Sequence, residues 1–219
     1  MSAPYRDRDR PISSEAIVIV EGDDEFHLLI RLLKREGLEG QIDIRPPYQG
    51  MADLGDYVVG VLAKTSGFAQ VKRIGVMRDA EEGTVEDALR SVSSALSAVF
   101  PGVALTQCGR FVDLQVTPER VVRVGALISV PCLEGLCLAP AGVGADPAIP
   151  CVDAYLECLA AHVSDGTQAQ RLKRRLYAYL ASRADPRLRP GQAADAQYID
   201  LGDPCWQPLK DFLKELAGG

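Results

Sequence analysis

Three acids stand where two apolar runs end. Ala16-Ile17-Val18-Ile19-Val20 passes directly into Glu21, and Val71 to Met77 runs into Arg78-Asp79-Ala80-Glu81. A charge at the end of a buried strand is costly unless it is paired, exposed or used. Two ionised carboxylates ~4 Å apart repel by roughly 4 kcal/mol at an effective dielectric near 20, so such a cluster persists by sharing protons, by reaching water or by binding a cation. Oxygen ligands without His or Cys suit Mg²⁺ or Mn²⁺ rather than zinc. A hard divalent cation at a strand edge most often handles phosphate. Other chemistries are short of parts: there are two histidines, His27 and His162, and the six cysteines never form C-x-x-C.

These acids meet only if their strands are neighbours. The run 16–20 is β-branched throughout, the pattern of a strand covered on both faces in a parallel sheet. After the acidic turn, Phe26, Leu29, Ile30 and Leu33 recur at i, i+3, i+4 and i+7, which predicts an amphipathic helix from Glu25 to Arg35, closed by Gly37. The rhythm repeats with a strand over Gln41 to Arg45, a loop through Pro46, Pro47 and Tyr48-Gln49-Gly50, and a helix carrying Leu54, Val58, Val61 and Leu62. A third strand, Val71 to Met77, precedes a helix with Val85, Ala88, Leu89, Val92, Leu96 and Val99 on one side. Three such units predict an α/β fold of Rossmann-like type: a mostly parallel sheet flanked by helices, with its ligand site at the carboxyl ends of the strands.

The second half is less regular. Phe111 to Val116 and Val121 to Val130 read as an antiparallel pair at the sheet edge, turning at Thr117-Pro118. Four helical stretches follow: Leu133 to Leu138 with Glu134; the stripe Val152, Tyr155, Leu156, Leu159, Val163; the stripe Leu172, Leu176, Leu180; and a final helix opened by Asp203-Pro204 that presents Trp206, Leu209, Leu213 and Leu216. The chain thus divides into a polar leader (1–15), an α/β core (16–130) and a helical C-terminal extension packed on it (131–219). Trp206 and its leucines read as core, the cysteines as small buried hydrophobes, and both histidines as surface residues.

Charge refines the picture. Of 219 residues, 30 are acidic and 24 basic, a net charge of −6 that argues against a surface wholly given to clamping nucleic acid. Five acids fall within 15–25 and five within 79–87, with no Lys or Arg in either stretch; elsewhere 20 acids face 24 bases. The excess is therefore local. Residues 165–190 carry Arg171, Lys173, Arg174, Arg175, Arg183, Arg187 and Arg189 against Asp165 and Asp185, a candidate phosphate track that equally suits a solvated helix face. Asp23, Asp24 and Glu25 suit a helix N-terminus as well as a site, and Glu82, Glu86 and Asp87 suit a solvated helix start. No run reaches the ~18 apolar residues of a membrane span, and Arg and Asp alternate near Met1 where a signal peptide would be apolar, so the expectation is a cytoplasmic protein without a membrane partner.

The blocks Val20-Glu21-Gly22-x-x-Glu25 and Ile74-Gly75-Val76-Met77-Arg78-Asp79-x-Glu81 resemble the two signature blocks of Toprim domains, the catalytic folds of topoisomerases, bacterial primases, ribosomal RNA maturases and OLD-type nucleases. With Leu133-Glu134-Gly135-Leu136-Cys137-Leu138 and a basic helix before the C-terminus, the chain is similar to stand-alone, OLD-like Toprim proteins of an uncharacterised bacterial family, over about Ile17 to Leu216. The resemblance implies a Mg²⁺- or Mn²⁺-dependent nuclease or phosphodiesterase acting on nucleic acid or a nucleotide. Glu21 would be metal ligand or general acid/base, Asp79 and Glu81 the metal-binding pair, Glu25 and Glu134 ligands of a second ion, and Lys173 the catalytic cation near the scissile phosphate. Glu81 replaces the second aspartate of that pair with a side chain one methylene longer. Two alternatives stand beside this: a regulatory Toprim scaffold working with a partner ATPase, since no G-x-x-x-x-G-K-[ST] occurs here, and a receiver-like module in which Asp79 accepts a phosphoryl group.

Overall fold

The computed structural model describes residues 10–45, 53–164 and 166–219. The expected loop at Pro46, Pro47 and Tyr48-Gln49-Gly50, most of the leader, and Asp165 lie outside the described residues. Five strands form one sheet: β1 (Ala16–Val20), β2 (Ile42–Arg45), β3 (Arg73–Asp79), β4 (Phe111–Thr117) and β5 (Arg120–Ser129), in the order β2-β1-β3-β5-β4. All neighbours are parallel except β4 and β5, whose antiparallel pairing at the edge slips register between Gln115 and Thr117. The expected mostly parallel α/β sheet is the fold observed, with β1 directly beside β3.

Strand alternation builds two separate apolar layers. Ala16, Val18 and Val20 face one side with Met77 and Leu127, while Ile17 and Ile19 face the other with Ile74, Val76, Val124 and Ala126. The second side is covered by α2 (Asp53–Gly60) and α3 (Val85–Leu96), through Leu54, Val58, Leu89 and Val92. The first is covered by α1 (Asp23–Arg35) and by the helices after the sheet: α4 (Leu133–Leu138), α5 (Ala141–Gly144), α6 (Ala148–Ala160), α7 (Gln168–Ala181), α8 (Pro190–Asp195) and α9 (Gln207–Ala217). With both faces covered, continuous apolar strands are what the sheet requires.

Local chemistry sets the helix ends near the site. In α1 the acids Asp23, Asp24 and Glu25 occupy the first turn and Lys34 and Arg35 the last, both favourable to the helix dipole, and Gly37 turns the chain with φ 69°. Thr84 and Asp87 form a reciprocal capping box at the start of α3. The C-terminal helix departs slightly from expectation: Asp203 caps a 3-10 turn over Pro204–Trp206, and α9 follows.

Three sequence readings need correction. The short α8 has no apolar stripe and was not foreseen; its Gly191 lies so close to α1 that a Cβ there would stand 2.9 Å from the His27 backbone. His27 is accordingly half-buried, its ring edge-on to Phe26 at 5.5 Å, rather than a plain surface residue. Of the cysteines only Cys132 and Cys137 are buried; Cys108, Cys151 and Cys158 are exposed, the latter two because α6 presents more apolar surface than its neighbours cover. Trp206 is fully buried, its indole N–H donating to the Asp200 carbonyl at 3.0 Å.

Candidate functional site

The register that aligns Val20 with Met77 brings Glu21 to the same sheet edge as Arg78 and Asp79. Asp79 is 6% exposed, and its Oδ1 accepts the Leu133 backbone N–H at 2.9 Å, so the strand-end acid also closes the first turn of α4. That contact sets Glu134 beside it. Glu134 is 6% exposed, so it is no solvated helix residue, and its Oε2 is enclosed without a hydrogen-bond partner. The first turn of α1 supplies Glu25, also buried, which packs over Gly22: a Cβ at position 22 would stand 2.6 Å from Glu25 Oε2. Glu21 completes the group, again with an enclosed, unpartnered Oε2.

Burial governs the protonation of these acids. It pushes Asp79 up to about 8, reinforced by the negative Glu25, Glu134 and Glu21, with Lys173 opposing. Glu25 rises to about 7 for the same leading reason, with Glu134, Asp24 and Glu21 adding to the effect of burial. Glu21 is raised by burial too, while Arg78 and the Asp79 backbone N–H hold it back. Desolvation here exceeds what the fixed donors return, as expected where carboxylates gather without full compensation.

Glu81 is placed differently. It is half-exposed and adopts φ 53°, a left-handed conformation uncommon for residues other than Gly, Asn or Asp. Its N–H donates to the Pro131 carbonyl at 2.8 Å, and its carboxylate holds Lys173 Nζ at 2.8 Å. Burial alone would lower the Lys173 ammonium, but the bond to Glu81 and the negative Glu134 and Asp79 leave it raised, hence firmly charged.

Electrostatic interactions thus link all six residues named from the sequence (Glu21, Glu25, Asp79, Glu81, Glu134 and Lys173) into one group centred on Asp79. They do not close a cage: among the described residues no group of three or more His, Cys, Asp or Glu side chains is arranged to hold a metal ion. In type, the donors fit a hard divalent cation, being all oxygen, and the Oε2 atoms of Glu21 and Glu134 have no hydrogen-bond partner. Nearby, sequence reasoning missed a network in which the Tyr177 hydroxyl donates to Asp24 while Arg189 Nη1 lies 3.7 Å from the same carboxylate. Tyr177 and Asp24 stand 153 residues apart in the chain, and no spacing rule could join them.

The basic stretch looks less like a phosphate track than its sequence suggests. Lys173 pairs with Glu81, Arg175 with Asp153, Arg183 with Asp146, Arg187 with Asp185 and Arg189 with Asp24. Arg171 and Arg174 donate to the carbonyls of Gly166 and Ser164. Most of this charge is engaged within the protein.

Comparison with known proteins now adds family and fold. The model of a protein family of unknown function, DUF3226, matches residues 15–218. The chain belongs to this family. No curated protein matches. Among solved structures, the C-terminal region of the Xanthomonas campestris pv. campestris OLD protein, phased with platinum, aligns over 94% of this chain and 94% of its own at 14% identity, TM-score 0.51. The iodine-phased structure of the same region aligns over 93% and 96% at 13% identity, TM-score 0.47. At 14% identity the likeness is one of fold, and the DUF3226 chain shares the OLD-like arrangement along nearly its whole length. Among its described residues no helix is long and apolar enough to cross a membrane.

Proposed function

We propose that this DUF3226 protein is a Toprim-type, metal-dependent nuclease or phosphodiesterase acting on nucleic acid, with Mg²⁺ or Mn²⁺ held by Glu21, Asp79 and Glu134 and with Glu25 and Glu81 as further ligands. One observation carries the reading: two enclosed carboxylate oxygens without partners, on Glu21 and Glu134, flank a buried Asp79 at the carboxyl ends of adjacent parallel strands. Native structures rarely leave such atoms unsatisfied without a functional reason. The resemblance of the two strand-end blocks to Toprim signatures and the OLD-like fold support the same conclusion.

When bound, the cation supplies Lewis-acid polarisation of a phosphoryl oxygen and activation of water. The protein's own groups divide the remaining work. Asp79 keeps one oxygen on the Leu133 N–H, so its carboxyl is fixed in direction. Glu21, less buried than Glu25 and with its proton affinity raised by burial, is the general acid/base of the site in the alternative to binding the cation itself. Lys173 offers positive charge at the same edge, and its bond to Glu81 holds both groups in place until substrate competes for the ammonium.

The test is cleavage of single- and double-stranded DNA and RNA and of a nucleotide diester by the purified chain with Mg²⁺ or Mn²⁺. Glu21→Gln and Asp79→Asn are expected to lower the rate at least about 100-fold, the loss typical of removing a positioned acid/base. Absence of cleavage by the unaltered chain with either ion, or unchanged rates in both variants, rejects the reading. A second reading, a regulatory scaffold that acts with a partner ATPase, is favoured by the Lys173–Glu81 pair, which engages one of the acids; copurification with an ATPase and no metal-dependent cleavage would select it. Phosphorylation of Asp79 on the receiver pattern is opposed by its burial and by the engagement of its Oδ1.

A further inference from the structure

The sheet edge holds a cation, Arg78, that attracts Glu21 but forms no ion pair with any of the acids among the described residues. Arg78 belongs to the alternation of Ile74 and Val76, so it lies on the α2 and α3 side of the sheet, and Glu21, the residue that follows β1, comes next to it beyond the Val20–Met77 pair. Asp79, Glu25 and Glu134 occupy the opposite side, where Met77 and α1 pack. The Nε and Nη1 atoms of Arg78 are enclosed and have no hydrogen-bond partner among the described residues. Its attraction to Glu21 is electrostatic only; no ion pair within 4.0 Å joins the two among the described residues, and Glu21 Oε2 is itself unpartnered.

A guanidinium has only donors and stays charged at any pH the protein meets. Half-buried, with Nε and Nη1 enclosed and without hydrogen bonds, it costs stability, and apolar residues commonly improve on such charges. The same group is well shaped for an oxyanion, because planar donors match phosphate oxygens closely. The adjacent Glu21 carboxylate, which has one enclosed oxygen without a hydrogen-bond partner, argues against an anion alone as the natural occupant. The pair fits a ligand that brings an anionic oxygen to Arg78 while positive charge satisfies Glu21.

We propose that Arg78 is the phosphate anchor of this site, its guanidinium taking a non-bridging oxygen of the phosphoryl group handled at the β1/β3 edge. The substrate class rests on the proposed function, but the anchor is testable without catalysis. Arg78 would be a binding residue distinct from the Arg171–Arg189 stretch, most of which is engaged in internal pairs.

The experiment follows arginine Nε–Hε resonances of the ¹⁵N-labelled full chain while inorganic phosphate or pyrophosphate is added, with Ca²⁺ present and acetate at matched ionic strength as the comparison. One resonance, absent in Arg78→Met, should shift saturably with phosphate and not with acetate. Arg78→Met should weaken phosphate at least 10-fold and raise the melting temperature, Arg78→Lys falling between. A purely structural arginine would give the reverse: a lower melting temperature in Arg78→Met and undiminished phosphate binding. No saturable shift, an equal response to acetate, or full affinity in Arg78→Met overturns the proposal. Phosphate binding through Arg78 without cleavage of any substrate leaves the anchor standing and removes the hydrolytic reading. Cleavage by Arg78→Met with unchanged KM and kcat does the opposite.

Discussion

Asp79 and Glu25 favour their protons in the folded chain far more than free side chains do, rising from ordinary values of 3.8 and 4.5 to about 8 and about 7. The sign of the linkage follows: a carboxyl whose folded pKa is raised contributes stability that is complete below its unfolded value and is lost as pH rises through the folded one. Without metal, the chain should melt at progressively lower temperature between about pH 5 and about pH 8.5. Asp79→Asn, which can still accept the Leu133 N–H, and Glu25→Gln should each flatten that decline and melt above the unaltered chain at pH 8.5. Thermal denaturation in EDTA across this range checks it, and a variant that melts lower at pH 8.5 would contradict the assigned cause. Glu21 and Asp79 were legible in the sequence because each stands at the end of a strand-like run, β-branched throughout before Glu21. Glu134 was visible only through the family resemblance, since a six-residue helix carries too little pattern to reveal that it is buried. The partner of Lys173 lies 92 residues away, and local sequence says nothing of it.

At the level of elements, periodicity located β1, α1, β3, α3 and the β4/β5 edge pair, because each is long or strongly patterned enough to announce its buried side. The small elements α5 and α8 escaped for the opposite reason. Two strand glycines illustrate what pattern alone leaves out. Gly75 and Gly125 are register partners in β3 and β5, where glycine ordinarily weakens a strand. A Cβ at Gly125 would stand 2.8 Å from the Phe111 ring, and one at Gly75 would stand 2.9 Å from Leu216 and 3.1 Å from Phe212. The two phenylalanine rings stack at 4.9 Å with planes 18° apart. Adjacent glycines thus form a floor for an aromatic pair contributed by β4 and α9. Replacing either with Ala should cost about 1–3 kcal/mol through overpacking, read from urea unfolding midpoints. The double variant should depart from additivity, because both methyl groups displace the same stack. Losses below about 0.5 kcal/mol, the range of ordinary surface changes, would show that the rings move aside freely.

Across the whole molecule, the acid excess and the division into core and extension turn out to be one structural matter. Of the acids concentrated in 15–25 and 79–87, Glu21, Glu25, Asp79 and Glu81 are gathered at one sheet edge, whereas Glu15 pairs with Lys72 at the other end of the strands; the edge is completed from the second half of the chain, where Leu133 donates to Asp79, Glu134 lies beside it, and Lys173 engages Glu81. The same segments cover one face of the sheet, where Val18, Val20, Met77 and Leu127 share a core with Leu133, Leu176, Trp206, Leu209, Phe212 and Leu216. Residues 16–130 contain every strand among the described residues, but they lack one covering layer apart from α1. A chain ending at Val130 would expose that apolar face to water and remove the Leu133 donor of Asp79. Against a typical total stability of roughly 5–15 kcal/mol, losing the layer as well should prevent cooperative folding. The 1–130 fragment is therefore expected to give a poorly dispersed amide spectrum, to bind a hydrophobic dye and to melt without a sharp transition. Coexpression with 131–219 should restore dispersion by supplying the missing layer in trans. A monomeric 1–130 fragment that unfolds cooperatively would mean that the extension decorates a self-sufficient sheet, and the site would then be assembled on a core that forms before it.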